Sequence, residues 1–98
     1  MWIEPDWPAP PSIVALSTTR TGLAGFAGAS EAPYGSFNLG DHVADHPAAV
    51  AENRDRLLAS CSGLDRIAWL NQVHGTDIVR LEQGPNAVFA ADASVTSE

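Results

Sequence analysis

Lysine is absent from this chain of 98 residues, and its five arginines are outnumbered by twelve aspartates and glutamates. The resulting net charge of −7 leaves no basic stripe for nucleic acid and opposes binding to an anionic membrane. We therefore expect neither nucleic acid nor a membrane as a partner. The arginines are scattered, so each needs an explanation from its own surroundings.

Cysteine and long apolar runs are also scarce. Cys61 is the single cysteine, so an internal disulfide is excluded, which is typical of a reducing compartment. The N-terminus, MWIEPDWPAPP, has neither the basic segment nor the apolar core of a signal peptide. No apolar run approaches the length of a transmembrane helix. These absences predict a cytoplasmic protein.

The apolar residues that are present predict one helix. Hydrophobic residues make up 45% of the chain, and its length suits a single domain over 1–98. We predict the helix over about 46–61, with Asp45 as its N-cap and Gly63 as its C-cap. Its apolar face is formed by residues at helical spacing, namely Val50, Leu57, Leu58 and Cys61.

Apolar and β-branched segments predict strands on both sides of this helix. These segments are 13–19, 67–73, 77–82 and 88–96. An extended arm occupies 1–12, where four prolines exclude regular helix and ladder pairing. A glycine-rich loop occupies 21–36, and QGPN at 83–86 predicts a turn. This order predicts an α+β fold in which a mixed β-sheet is partly covered by one helix.

His74 is the histidine whose position most needs an explanation. It follows an apolar strand in WLNQVHGTDIVRL and precedes Gly75, a residue that can adopt positive φ. The residues alone leave three interpretations open: a turn residue, a lone catalytic base, or one ligand of a metal site. Local physics favours the turn, because a zinc site needs about three protein ligands. Cys61 lies on the apolar helix face, where a buried structural thiol is expected.

Other polar side chains stand near predicted strand ends. For Arg20 we predict one of two roles, a surface ion pair or an anchor for phosphate or carboxylate. The amides of Asn38 and Gln72 are expected either to fix loops or to contact a polar ligand. For His42 we prefer a loop histidine bonded to a carboxylate over a substrate contact. His46, at the start of the helix, is expected to be solvated.

Five stretches together resemble one family. STTR, YGSFNLGDHV, PAAVAENRDRL, WLNQVHGTDIVRL and ADASVT occur here in the order found in the N-terminal part of YfiH-like proteins. These proteins are also called laccase-domain or polyphenol-oxidase-like proteins. The resemblance covers nearly all of the chain after the arm. The loop after Arg20 departs from the family's compact T-R-x-G-G-V-S pattern through an apparent insertion of residues.

The resemblance implies a function and a larger fold. YfiH-like proteins resemble zinc-dependent purine nucleoside phosphorylases that act on adenosine, inosine and methylthioadenosine, with associated adenosine deamination. An older description of the family is a copper-dependent laccase, and some bacterial members are linked to editing of peptidoglycan precursors. The implied fold is α/β with packed sheets, of which this chain would form the N-terminal part. The implied substrates are a purine nucleoside and phosphate.

The resemblance also implies roles for particular residues. The family's metal site uses His, Cys and His, and His74 matches the first of these; the other two would follow the end of this sequence. We therefore expect the fragment alone to hold zinc weakly and to be inactive. We assign Arg20 and Gln72 as catalytic residues, and Asn38 and His42 as substrate contacts. The alternative is a non-catalytic module that binds a partner or self-associates through an exposed sheet.

Overall fold

The computed structural model describes residues 2–81 and 88–96, and among these it contains one helix and six short strands. In chain order these are β1 (Trp2–Ile3), β2 (Ser17–Thr18), α1 (Pro47–Ser60), β3 (Leu70–Asn71), β4 (Ile78–Arg80), β5 (Phe89–Ala90) and β6 (Ala93–Val95). The predicted α+β class is confirmed. Two compact units share the chain, with their boundary between Gly63 and Leu64. The prediction of a single domain over 1–98 stays a prediction.

The first unit contains β1, β2 and α1. Trp2 pairs with Thr18 and Ile3 with Ser17, in an antiparallel ladder. The prediction that prolines exclude ladder pairing throughout the arm is therefore wrong at its first residues, which precede Pro5. It holds for the rest of the arm, because a proline has no backbone N–H to donate to a ladder. Residues 21–36 contain no regular element beyond one isolated antiparallel bridge between Leu23 and Phe26.

The helix occupies nearly the predicted range, but its ends differ from the prediction. Its N-cap is His46, which makes no side-chain capping bond, and Pro47 takes the first helical position. Asp45 lies one residue too early to cap the helix, and its carboxylate accepts a hydrogen bond from the His46 backbone N–H instead. Cys61 is the C-cap, and Gly63 adopts φ +83° just beyond it.

The core of the first unit lies between α1 and the long loop before it. Phe37, Val50 and Leu57 are buried there, and Phe37 meets Phe26 edge to face with ring centroids 6.3 Å apart. The Arg56 guanidinium lies 4.7 Å from the centroid of the Phe26 ring. The helix therefore packs against the irregular loop before it. These contacts fix the conformation of that loop.

The second unit contains the two parallel strand pairs. Leu70–Asn71 of β3 pairs with Phe89–Ala90 of β5, and Ile78–Arg80 of β4 pairs with Ala93–Val95 of β6. Ala91, between β5 and β6, is buried, whereas Ile78 and Val95 are exposed. The strands are shorter than predicted, because β-branched residues favour extended chain but only a partner creates a ladder.

The predicted turn at 83–86 lies outside the described residues. Within the described part of the chain, no helix is long and apolar enough to span a membrane.

Candidate functional site

Arg20 organises the loop that follows it. Its Nε donates to the Gly35 carbonyl oxygen at 3.0 Å, and its Nη2 donates to the same oxygen at 2.8 Å and to the Pro33 oxygen at 3.4 Å. The Arg20 carbonyl oxygen accepts hydrogen bonds from the backbone N–H groups of Ser36 and Phe37 at 2.8 and 2.9 Å. The loop from 33 to 37 is thus held by both the side chain and the backbone of Arg20.

Asn53 is the buried polar centre of the first unit. It is 0% exposed, and its Oδ1 accepts a hydrogen bond from the Ala29 backbone N–H at 2.8 Å. Its Nδ2 donates to the Ser30 hydroxyl at 2.9 Å and to the Asn38 carbonyl oxygen at 2.8 Å. One helical amide therefore joins two separate parts of the preceding loop, as buried polar groups require.

Asp45 completes this network. Its Oδ2 accepts hydrogen bonds from the Ser30 hydroxyl at 2.6 Å and from the Asn38 amide at 3.1 Å. The Ser30 bond, together with those from Asn38 and the His46 backbone N–H, lowers the pKa of Asp45 below its usual 3.8. Asp45 therefore remains ionised at neutral pH and acts as the acceptor for three loop donors.

Asn38 has its whole side-chain amide engaged in the loop. Besides the bond to Asp45, its Nδ2 donates to the Gly40 carbonyl oxygen at 3.0 Å, and its Oδ1 accepts from the Gly40 N–H at 3.1 Å. Of the two roles predicted for this amide, loop fixing is the one in which the structure places it.

Arg20 and Asn38 line the same cavity, of about 410 Å³. Its other lining residues are Thr18, Thr19, Pro33, Tyr34, Phe37 and Leu39. This volume lies within the range of small-molecule sites, about 300–1,000 Å³. A second cavity of about 640 Å³ is lined by Trp2, Glu4, Leu23, Ala24 and Ser60, none of which was a candidate from the sequence. The structure thus brings together two of the five predicted site residues in one cavity.

The two histidines of the first unit lie at its surface. His42 is 55% exposed, and its Nδ1 is 4.0 Å from a carboxylate oxygen of Asp41, which is longer than a hydrogen bond. Asp41 also lies 3.8 Å from Nη2 of Arg54, whose Nε donates to the Leu39 carbonyl oxygen at 2.8 Å. His46 is exposed, as expected. His42 does not line the cavity that contains Arg20.

His74 occupies the turn between β3 and β4 in the second unit. It is exposed and adopts φ +59°, in the left-handed region that a histidine enters more readily than most side chains. Gly75, which could adopt a positive φ, does not do so here, whereas His74 does. The side chain of Asp92 holds the backbone of this turn. Its Oδ2 accepts hydrogen bonds from the backbone N–H groups of Gly75 at 3.0 Å and Asp77 at 3.4 Å.

Gln72 is exposed two residues before His74, so both belong to the second unit. A neutral imidazole is a good zinc ligand, and an exposed one is accessible. No three His, Cys, Asp or Glu side chains in residues 2–81 and 88–96 lie close enough to share a metal ion. A metal ion bound by His74 would therefore need further donors beyond those in the described residues.

Three important residues were missed by the sequence reasoning. Asn53 stands three residues after Val50 and four before Leu57, so an amide at a core position of the helix was the available signal. Ser30 and Asp92 carried no such signal. Their partners lie 15 or more residues away in the chain, so no local pattern marks them.

The chain belongs to the family described as multi-copper polyphenol oxidoreductase laccase, whose model matches residues 14–98. The resemblance to YfiH-like proteins is thereby confirmed. The chain is 50% identical to purine nucleoside phosphorylase PA4543 of Pseudomonas aeruginosa, over 95% of this chain and 35% of that protein. It is 44% identical to purine nucleoside phosphorylase YfiH of Escherichia coli, over 97% of this chain and 37% of that protein.

A solved structure is similar as well. The crystal structure of Neisseria meningitidis protein NMB0706 matches with a TM-score of 0.81 at 41% identity. The match covers 97% of this chain and 36% of that one. The chain therefore spans about a third of the length of the relatives that it matches.

Proposed function

We propose that this chain contributes the N-terminal part of the site of a zinc-dependent purine nucleoside phosphorylase. Two relatives named purine nucleoside phosphorylase are 44% and 50% identical to this chain over nearly its whole length. That similarity is the observation on which the proposal rests. The reaction would break the bond between a purine and its ribose and join phosphate to the sugar carbon, with adenosine, inosine and methylthioadenosine as the candidate nucleosides and adenosine deamination as an associated activity.

The cavity at Arg20 supports a role in binding the anionic substrate. Nε and Nη2 of Arg20 are engaged with loop carbonyls, so Nη1 provides the donors for an anion. Guanidinium groups hold phosphate with directed hydrogen bonds, and a fixed group loses little freedom on binding. In this proposal Asn38 shapes the cavity wall, and Tyr34 adds an aromatic surface beside it.

His74 would serve as one zinc ligand. Zinc, when bound, supplies Lewis-acid chemistry to the site. In this proposal the chain holds an exposed imidazole in the turn after β3. Gln72, two residues earlier, is proposed as a catalytic residue and His42 as a substrate contact. Because His74 is the single metal ligand that we propose among residues 2–81 and 88–96, we propose that residues 1–98 alone are inactive.

The test measures zinc content and the phosphate-dependent release of hypoxanthine from inosine by the full-length product of the gene and by residues 1–98. The variants are His74→Ala and Arg20→Lys, with Arg80→Ala as a matched arginine control. We expect His74→Ala to lose zinc and turnover. Arg20→Lys should raise the KM for phosphate about tenfold, because an ammonium group cannot replace a directed guanidinium contact. Arg80→Ala should behave like the wild type.

Several outcomes would contradict the proposal. Purine release that does not depend on phosphate would indicate hydrolysis rather than phosphorolysis. Unchanged zinc content in His74→Ala would remove the metal role. Stoichiometric zinc and turnover by residues 1–98 would overturn the proposed inactivity of the fragment.

The family description favours a second candidate, a copper-dependent polyphenol oxidase. It is distinguished by adding copper and a phenol to the same preparations and measuring oxygen consumption. Copper-dependent oxygen uptake that His74→Ala abolishes, without phosphorolysis, would support this candidate. The net charge of −7 supports the further proposal that the protein binds neither nucleic acid nor membranes. The single cysteine supports the proposal that it is cytoplasmic.

A further inference from the structure

Asp92 holds the turn that carries His74. We propose that Asp92 is a positioning residue, whose carboxylate fixes the backbone after β3 so that the His74 imidazole is presented to a metal ion. This inference rests on the proposed function, because it requires that His74 is a metal ligand.

The hydrogen bonds of Asp92 reach both ends of the turn. Its Oδ2 accepts from the N–H of Gly75, which is bonded directly to His74, at 3.0 Å and from the N–H of Asp77 at 3.4 Å. Its own backbone N–H donates to the Asp77 carbonyl oxygen at 2.9 Å. One side chain and one peptide group thus bind the turn to the segment between β5 and β6.

This attachment explains the backbone of His74. A residue other than glycine in the left-handed region is strained and persists where its surroundings hold it there. His74 adopts φ +59°, and the bond to the next residue's N–H sets the direction of that peptide. Without the carboxylate the turn can relax, and the imidazole then loses its fixed direction.

The second oxygen of Asp92 indicates that stability alone does not require a carboxylate here. Oδ1 is buried and has no hydrogen-bond partner within the described part of the chain. A buried polar atom without a partner is unfavourable, and an amide or hydroxyl could accept the same two N–H bonds without a buried charge. Such local conflicts are expected at functional sites.

A fixed turn should matter for metal affinity. Residues that orient a metal ligand typically change affinity by about 10–100-fold when they are removed, because a mobile ligand must be ordered on binding. We expect Asp92→Ala to raise the zinc dissociation constant by about 10–100-fold. Asp92→Asn should stay within a few-fold of the wild type, since its amide oxygen accepts the same backbone hydrogen bonds.

The experiment uses the full-length product of the gene and two readouts that do not depend on activity. Zinc affinity is measured by competition with a chromophoric chelator, and hydrogen exchange is measured on the peptide that contains Gly75. Asp77→Ala is the matched control, because it removes an exposed carboxylate from the same turn and leaves its backbone hydrogen bonds in place. We expect exchange at Gly75 to accelerate in Asp92→Ala alone.

The outcomes separate this inference from the proposed function. Faster exchange at Gly75 with unchanged zinc affinity in Asp92→Ala would overturn the positioning role. If Asp92→Asn binds zinc as weakly as Asp92→Ala, the effect is one of charge, and the positioning role is overturned as well. If Asp92→Ala does not fold, the zinc affinity of Asp92→Asn decides the question. If His74→Ala also leaves zinc affinity unchanged, the metal role falls with it; if His74→Ala loses zinc, the failure concerns Asp92 alone.

Discussion

Asn53→Ala should strongly destabilise the first unit. It leaves the Ala29 N–H and the Asn38 carbonyl without their partner and removes one of the two hydrogen bonds of the Ser30 hydroxyl. Each lost partner costs about 1–3 kcal/mol, and the lower value applies because Ala29 and Asn38 are half-buried. The sum is about 3 kcal/mol. A core of this size provides about 3–5 kcal/mol, so only about 0–2 kcal/mol of stability would remain.

The assay is urea unfolding followed by far-ultraviolet circular dichroism, which reports on α1. Glu52→Ala is the control, because Glu52 is exposed on the same helix and should change stability by less than about 0.5 kcal/mol. Asn53→Asp has the same volume but cannot donate to Ser30 or Asn38, so it should be as destabilising as Asn53→Ala. Equal urea midpoints for Asn53→Ala and Glu52→Ala, or a stable Asn53→Asp, would refute the hydrogen-bond reasoning.

Two further predictions concern acid stability and the strained turn. Because the folded-state pKa of Asp45 is lowered, its carboxylate stabilises the fold above the usual pKa of 3.8, and this stabilisation is lost as pH falls through the lowered pKa. Urea midpoints at pH 6 and pH 3 should therefore differ less in Asp45→Asn than in the wild type. An equal difference in the two proteins would contradict this reasoning. His74→Gly should be about 1 kcal/mol more stable to urea than His74→Ala, since glycine adopts positive φ without strain. Equal stability would argue against the left-handed backbone.

The helix was predictable because its signals are local. Apolar spacing of about 3.6 residues and Pro47 at its start placed it over 46–61, and the structure has Pro47–Ser60. The strands were predicted in the right regions but too long, because a β-branched segment shows that the chain favours extension and not where its partner lies. The segment 88–96 thus became two short strands that pair with different partners.

The roles of the candidate residues were less predictable. Arg20 was expected to bind an anion or an acidic side chain, and the structure shows it bonded to the carbonyl oxygens of Pro33 and Gly35. That role could not be predicted from the sequence, because every residue has a backbone carbonyl and no residue type marks the one that accepts. Asn38 fixes the loop, which is one of the two roles predicted for it, while Asn53, the amide that orders its surroundings, was not among the candidate residues.

The sequence by itself determined the family, the α+β class, the helix and the position of His74 between two extended segments, because motifs and periodicity are properties of neighbouring residues. The tertiary structure alone decided that Asn53 joins the loop to the helix, that Arg20 and Asn38 line one cavity, and that His74 rather than Gly75 takes the left-handed backbone. Each of these depends on hydrogen bonds between groups about 15 or more residues apart. Such bonds form only when folding brings distant donors and acceptors to within about 3 Å of each other.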